Sequence, residues 1–180
     1  FYLGKAKMSK LDFQILQMLY DGAITYLDLK IYELFQFLEK QELLDNTTLI
    51  ITSDHGDNIE EHGLMFHVFC LYDTLTKIPL LIKYPAEMNL NGIDDRIVQP
   101  VDIFPTVVDI AGIANKTLHN QIQGNSLVAH NGPLHIKSRS FEYAISELLN
   151  PFSFAWLRSM RSTLQKYDRQ LISIRTKDTK

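Results

Sequence analysis

Residues 54–67, DHGDNIEEHGLMFH, set His55, His62 and His67 among Asp54, Asp57, Glu60 and Glu61, directly behind the strand-forming run TTLIITS. Imidazole and carboxylate are the side chains that move protons near neutrality and that ligate divalent ions, one through nitrogen and the other through oxygen. Asp54 and His55 stand side by side where a strand would end, with Gly56 behind them to let the chain turn away. Ligands of an open α/β sheet gather beyond the carboxyl ends of its parallel strands, so a rigid element would carry this pair. The pair by itself fits two descriptions: half of a metal site, or an aspartate capping the next turn beside a hydrogen-bonded loop histidine. His67 also has two: a proton donor, since imidazole has an unperturbed pKa of about 6.5, or a half-buried ring packed beside Phe66 and Phe69.

The elements that must position these groups follow from periodicity. From Ser9 to about Leu44, Leu11, Ile15, Met18, Leu19, Tyr26, Leu27, Ile31, Leu34 and Leu38 recur at helical spacing with charged and amide residues between them. A long amphipathic helix is expected, loosened at Gly22. Thr47 to Ser53 is β-branched and apolar on both faces, as a buried parallel strand tends to be, and Ile78 to Tyr84 is a second strand of that type in the same sheet. PVDIFPTVVDIAGI predicts a short helix with Asp102 as N-cap, Pro105 in its first turn and Gly112 as its stop. Asn115 to Ser138 reads as a loop excursion. RSFEYAISEL, FAWLRSMRS and QLISIR read as strands of a small antiparallel sheet, with Arg158, Arg161 and Lys166 on its exposed side. The expected division is an α/β part over residues 1–138 and the start of a β subdomain over 139–180.

At 180 residues and 46% hydrophobic composition the chain can bury one sizeable core. A net charge of −3 with both signs interspersed leaves no broad basic face for nucleic acid and no polybasic arm for a membrane surface. No apolar run is long enough to span a bilayer. The single cysteine, Cys70, excludes an internal disulfide and reads as a small core residue. Localisation and oligomeric state leave no mark.

The stretch LYDGAITYLDLKIYELFQFLEKQELLDNTTLIITSDHGDNIEEHGL, then LYDTLTKIPLLIKYP, then VQPVDIFPTVVDIAGI, resembles the later part of the sulfatase family of the alkaline phosphatase superfamily over about residues 19–128. The resemblance implies a partial three-layer α/β/α alkaline-phosphatase-like core with a small C-terminal antiparallel sheet. It implies that Asp54 and His55 ligate a divalent metal, Ca2+ first and Zn2+ or Mn2+ as alternatives. It places His67 where the family sets a lysine or histidine against the sulfate or the leaving oxygen, and leaves Lys77 in a supporting position. The family often reads Gly-Glu-His-Gly where this chain has Glu60-Glu61-His62-Gly63, so the loop conformation there is expected to change. His119, His130 and His135 form no ligand spacing and read as solvated loop residues.

The family's nucleophile is a formylglycine made from Cys or Ser in a Cys/Ser-X-Pro/Ala-X-Arg motif; CLYDT does not match it, and neither that motif nor the family's first pair of metal-binding aspartates occurs here. The chain is therefore expected to be a fragment, with formylglycine supplied upstream and a small-molecule or carbohydrate sulfate ester as substrate of the whole. Alternatives are a phosphonate or phosphodiester hydrolase or a phosphoethanolamine transferase of the same superfamily, and a non-catalytic binding module on the same fold. Without a nucleophile the 180 residues should not turn over an aryl sulfate. Turnover that survives purification controls and is lost on Cys70→Ala would overturn both the fragment reading and the core role of Cys70.

Overall fold

Ser9 opens the first element: its hydroxyl accepts from the backbone N–H of Asp12 at 3.3 Å, while the Asp12 carboxylate accepts from Ser9 N at 2.7 Å. This reciprocal pair satisfies N–H groups that a helix start leaves free, and the Ser9 N–H holds the Asp12 carboxyl below its ordinary value. In the computed structural model helix α1 then runs from Lys10 to Lys40, straight through Gly22. Only Phe13 of α1 is buried, and Leu11, Leu19 and Leu27 of the expected core stripe stay exposed. The helix is held by its cap, its own hydrogen-bond ladder and good helix formers rather than by a covered face.

The structure describes residues 7–128, 143–150, 162 and 164–176. His130, His135, Arg158, Arg161 and all of the FAWLRSMRS segment but Ser162 lie outside them. The chain divides into two compact units, the first of residues 1–92 and 147–172, the second of 93–146 and 173–180.

In the first unit, β1 (Leu49–Thr52) pairs with β4 (Leu80–Lys83) through Leu49↔Lys83, Ile50↔Ile82, Ile51↔Leu81 and Thr52↔Leu80. The pairing is antiparallel, not the parallel arrangement the composition suggests. Apolar residues on both faces do not encode which way the neighbour runs, and the burial they suggest is not met within this chain: no residue of either strand is buried, and Leu81 is exposed. Lys83 Nζ reaches the carbonyls of Leu44 and Thr47 and ties the entry of β1 to the end of β4. Between these strands lie the two-residue strands β2 (Asn58–Ile59) and β3 (Met65–Phe66) and the single-turn helix α2 (Asp73–Thr76). Leu64, Cys70 and Leu75 form a small core with Tyr167 packed against it, the Tyr167 ring stacked on Phe69 at 4.6 Å. The buried Cys70 thus fills the core role expected of it.

The second unit is built on α3 (Ile103–Ile110), which follows a 3₁₀ turn over Pro100–Asp102. Asp102 does not cap α3 with its side chain, as the sequence suggests; it is already helical, and its carboxylate accepts from Gln99 N at 2.8 Å and Asn125 N at 2.7 Å. Pro100 starts the turn one step earlier, moving the helical start upstream of Asp102. Gly112, at φ +65, ends the helix as expected. The Asn115–Ser138 excursion contains a helix, α4 (Lys116–Gln121), because Asn115 Oδ1 accepts from Thr117 N and Leu118 N; His119 belongs to it. Strands β5 (Tyr143–Leu148) and β6 (Leu171–Thr176) pair with each other in the C-terminal region.

Two glycines separate helix propensity from space. A Cβ on Gly22 would meet nothing within 4 Å, whereas on Gly124 it would fall 2.0 Å from the Val101 carbonyl oxygen. Gly22→Ala should raise the unfolding free energy by up to about 1 kcal/mol, and Gly124→Ala should lower it by about 1–3 kcal/mol. Urea denaturation of both variants checks the opposite signs.

Candidate functional site

The end of β1 is pinned before the polar residues begin. Thr52 Oγ1 donates to the Pro79 carbonyl at 2.8 Å, and Ser53 Oγ donates to the His55 carbonyl at 2.7 Å. Asp54 then accepts the backbone N–H of His55 on Oδ1 at 2.9 Å, and this bond is the main reason its carboxyl lies below the ordinary range. Gly56 crosses α2 closely enough that its N–H donates to the Leu75 carbonyl at 2.9 Å, and a Cβ there would sit 2.0 Å from the Thr74 oxygen. Only glycine fits this crossing, which is why the loop leaves the strand where it does.

The β2–β3 hairpin brings the far end of the loop back. Its pairs, Asn58↔Phe66 and Ile59↔Met65, make Asp57 and His67 the next opposed positions at the hairpin mouth. Their side chains meet, with His67 Nδ1 2.9 Å from Asp57 Oδ1. The His67 ring also lies against the His55 ring, centroids 4.1 Å apart at 32°. His55 Nδ1 hydrogen-bonds the Gly56 carbonyl at 2.9 Å, so this nitrogen carries the hydrogen and Nε2 is left with its lone pair. Asp54 Oδ2 lies 3.6 Å from that Nε2.

Asp54 thus neighbours His55, and His55 neighbours His67; the Asp54–His55 donor pair fits a divalent ion, an exposed carboxylate beside an imidazole nitrogen fixed in the ligating tautomer. Asp57 was not singled out by the sequence pattern. Its only signal is its place opposite His67, visible once the two short strands are paired. Lys77 stands at the end of α2 as its C-cap. His62 is drawn out of the cluster, stacking on Tyr72 at 3.7 Å.

The loop that turns the hairpin keeps the conformation glycine would adopt. Glu60 sits at φ +85, and His62, Phe66 and Phe69 also have positive φ. Glu60 thus carries the strain of a left-handed position that glycine would occupy freely. Glu60→Gly should raise the unfolding free energy by up to about 1 kcal/mol, the relief of a left-handed side chain less the added freedom of the unfolded chain. A loss of stability in urea titration would show instead that the Glu60 side chain makes a contact worth more than the strain.

A family model described as Sulfatase matches residues 16–113. The choline-sulfatase of Rhizobium meliloti (strain 1021) is 32% identical over 149 residues, covering 82% of this chain and 28% of its own length. The N-acetylglucosamine-6-O-sulfatase of Bacteroides thetaiotaomicron is 35% identical over 108 residues, 60% of this chain and 19% of its own. The arylsulfatase K of Canis lupus familiaris is 33% identical over 122 residues, 68% of this chain and 22% of its own. The chain thus spans less than a third of the length of these curated relatives. Among solved structures, the phosphonate monoester hydrolase of Silicibacter pomeroyi superposes with a TM-score of 0.69 at 21% identity, over 96% of this chain and 33% of that one. That likeness is one of fold, and it gives the chain part of an alkaline-phosphatase-like α/β core.

Proposed function

Because this chain belongs to the sulfatase family, we propose that it supplies part of the active site of a metal-dependent sulfuric ester hydrolase, with Asp54 and His55 as metal ligands and His67 at the leaving oxygen. One observation carries the reading: His55 stands between the other two, its Nε2 3.6 Å from Asp54 Oδ2 and its ring 4.1 Å from that of His67. Nothing in the family match requires that meeting of side chains; the strand end and the hairpin produce it.

A divalent cation held by Asp54 and His55 would supply positive charge to the oxygens of a bound sulfate. Calcium is the family's usual choice; the nitrogen donor of His55 also suits Zn2+ or Mn2+. The chain's own residues do the rest of what falls to them. Asp54 contributes a fixed negative charge, its carboxyl kept low by the His55 N–H. Asp57 engages Nδ1 of His67, which leaves Nε2 as the ring nitrogen to hand a proton to the departing ester oxygen. Gly56 and Ser53 keep the ligand pair from swinging away.

The nucleophile belongs to sequence beyond these 180 residues on this reading, since they contain no Cys/Ser-X-Pro/Ala-X-Arg motif. The substrate class is a sulfate ester of a small molecule or sugar, the kind named by the choline and N-acetylglucosamine relatives. A phosphonate or phosphodiester substrate is the second reading, favoured by the imidazole nitrogen in the metal-ligand pair and compatible with the fold.

In a longer chain that includes these residues and the nucleophile motif, Asp54→Ala should lower kcat/KM by about 10³-fold or more and deplete bound metal. His67→Ala should lower it by about 10²-fold with metal content unchanged. Aryl sulfate kinetics with metal analysis of the same samples checks both. Full activity in Asp54→Ala would remove Asp54 from the site.

A further inference from the structure

The hairpin mouth holds a second convergence that does not use Asp54. One ligand atom from each of His55, Asp57 and His67 lies within 4.8 Å of the other two. We propose that these three residues form a binding site for a divalent transition metal such as Zn2+ or Co2+, overlapping the Asp54–His55 pair at His55 but with its own donor set.

Three features argue for it. The donors are two imidazoles and one carboxylate, a nitrogen-rich set that favours borderline cations over Ca2+, which takes six to eight oxygens. Three protein ligands are also the number at which zinc sites keep an open position. The donors are gathered before any ion arrives: the Gly56 carbonyl fixes the His55 tautomer, and the hairpin register sets Asp57 against His67, whose mutual 2.9 Å hydrogen bond opens to admit the ion. The frame behind them is fixed by the buried Asn58, whose side chain donates to the Phe66 carbonyl at 2.9 Å and accepts from Thr74 Oγ1 at 2.6 Å. Donors already in place lose little freedom on binding, which is what separates a site from exposed groups that happen to be near.

The inference goes beyond the hydrolase reading and bears on it. An ion at this position occupies a nitrogen of His67, so a transition metal here opposes proton donation by that ring. The site would then inhibit the same centre that an ion on Asp54 and His55 activates.

The test is direct binding to the 180-residue chain, with no turnover involved. Co2+ should give visible absorption bands, which Zn2+ displaces and Ca2+ at equal concentration does not. Asp57→Asn and His67→Ala should each weaken Co2+ binding by at least about 10-fold, a larger loss than Asp54→Ala causes. Circular dichroism checks that each variant folds, and the isosteric Asp57→Asn decides the matter if His67→Ala does not. Binding lost in Asp54→Ala but kept in Asp57→Asn would overturn the proposal and leave the Asp54–His55 ligand pair standing. Equal Co2+ binding by the parent and Asp57→Asn chains, or none by either, would also overturn it.

Discussion

The side-chain amide of Asn58 holds the functional loop in one shape. It is 1% exposed and sits among the Phe66 carbonyl, the Thr74 hydroxyl and the Cys70 sulfur, with the sulfur 3.4 Å from Nδ2. A buried amide must have partners or carry a desolvation penalty of about 1–3 kcal/mol, so these bonds are hard to trade for others. They bind β2 to the end of β3 and to α2 at once. Without that junction two strands of two residues each would have little to hold them, since so short a ladder is marginal in water. Every contact at the hairpin mouth, Asp57 to His67 and His67 to His55, is downstream of this one amide.

The charge arrangement follows from the same frame. Asp54 is the most open of the four site groups, its side chain 84% exposed, while His55, Asp57 and His67 are 41%, 34% and 43% exposed. An open carboxylate stays solvated and anionic, ready to meet an ion arriving from solvent. The two rings and Asp57 form the wall behind it. The loop therefore presents one carboxylate outward and keeps the other behind it with the two rings.

What could be read from the sequence was what depends on neighbours along the chain. Ser9 and the spacing of Leu and Ile predicted α1, and the β-branched runs predicted β1 and β4 within a few residues. What could not be read depends on partners across space. Apolar strands do not encode the direction of their neighbour, so the antiparallel pairing of Leu49 with Lys83 was hidden. Two-residue strands carry no period, so β2 and β3 left no trace, and with them went the pairing that makes Asp57 a site residue. That Asp54, His55 and His67 should lie near one another was expected from the family resemblance; the hairpin that carries His67 to His55 was not. Asp102 shows the same limit on a small scale. It stands at the N-cap position of α3 as its type suggested, but Pro100 had already begun the turn, and its carboxylate serves Gln99 and the distant Asn125 in place of the N–H groups of α3.

The crowding of positive φ angles at Glu60, His62, Phe66 and Phe69 has a bearing on how portable the loop is. Backbone in that region persists only where its surroundings over-determine it. Here the surroundings are the Leu75 carbonyl, the Thr74 hydroxyl and the Cys70 sulfur, all of them past the last residue of the loop itself. A synthetic peptide copying residues 54–67 would contain every ligand but only the Asn58–Phe66 bond and the two hairpin pairs among the restraints, and would relax to ordinary negative φ with its histidines apart. The smallest piece of chain that carries the geometry extends at least to Leu75, so the chemistry belongs to the packed loop and helix together and cannot be grafted as a motif.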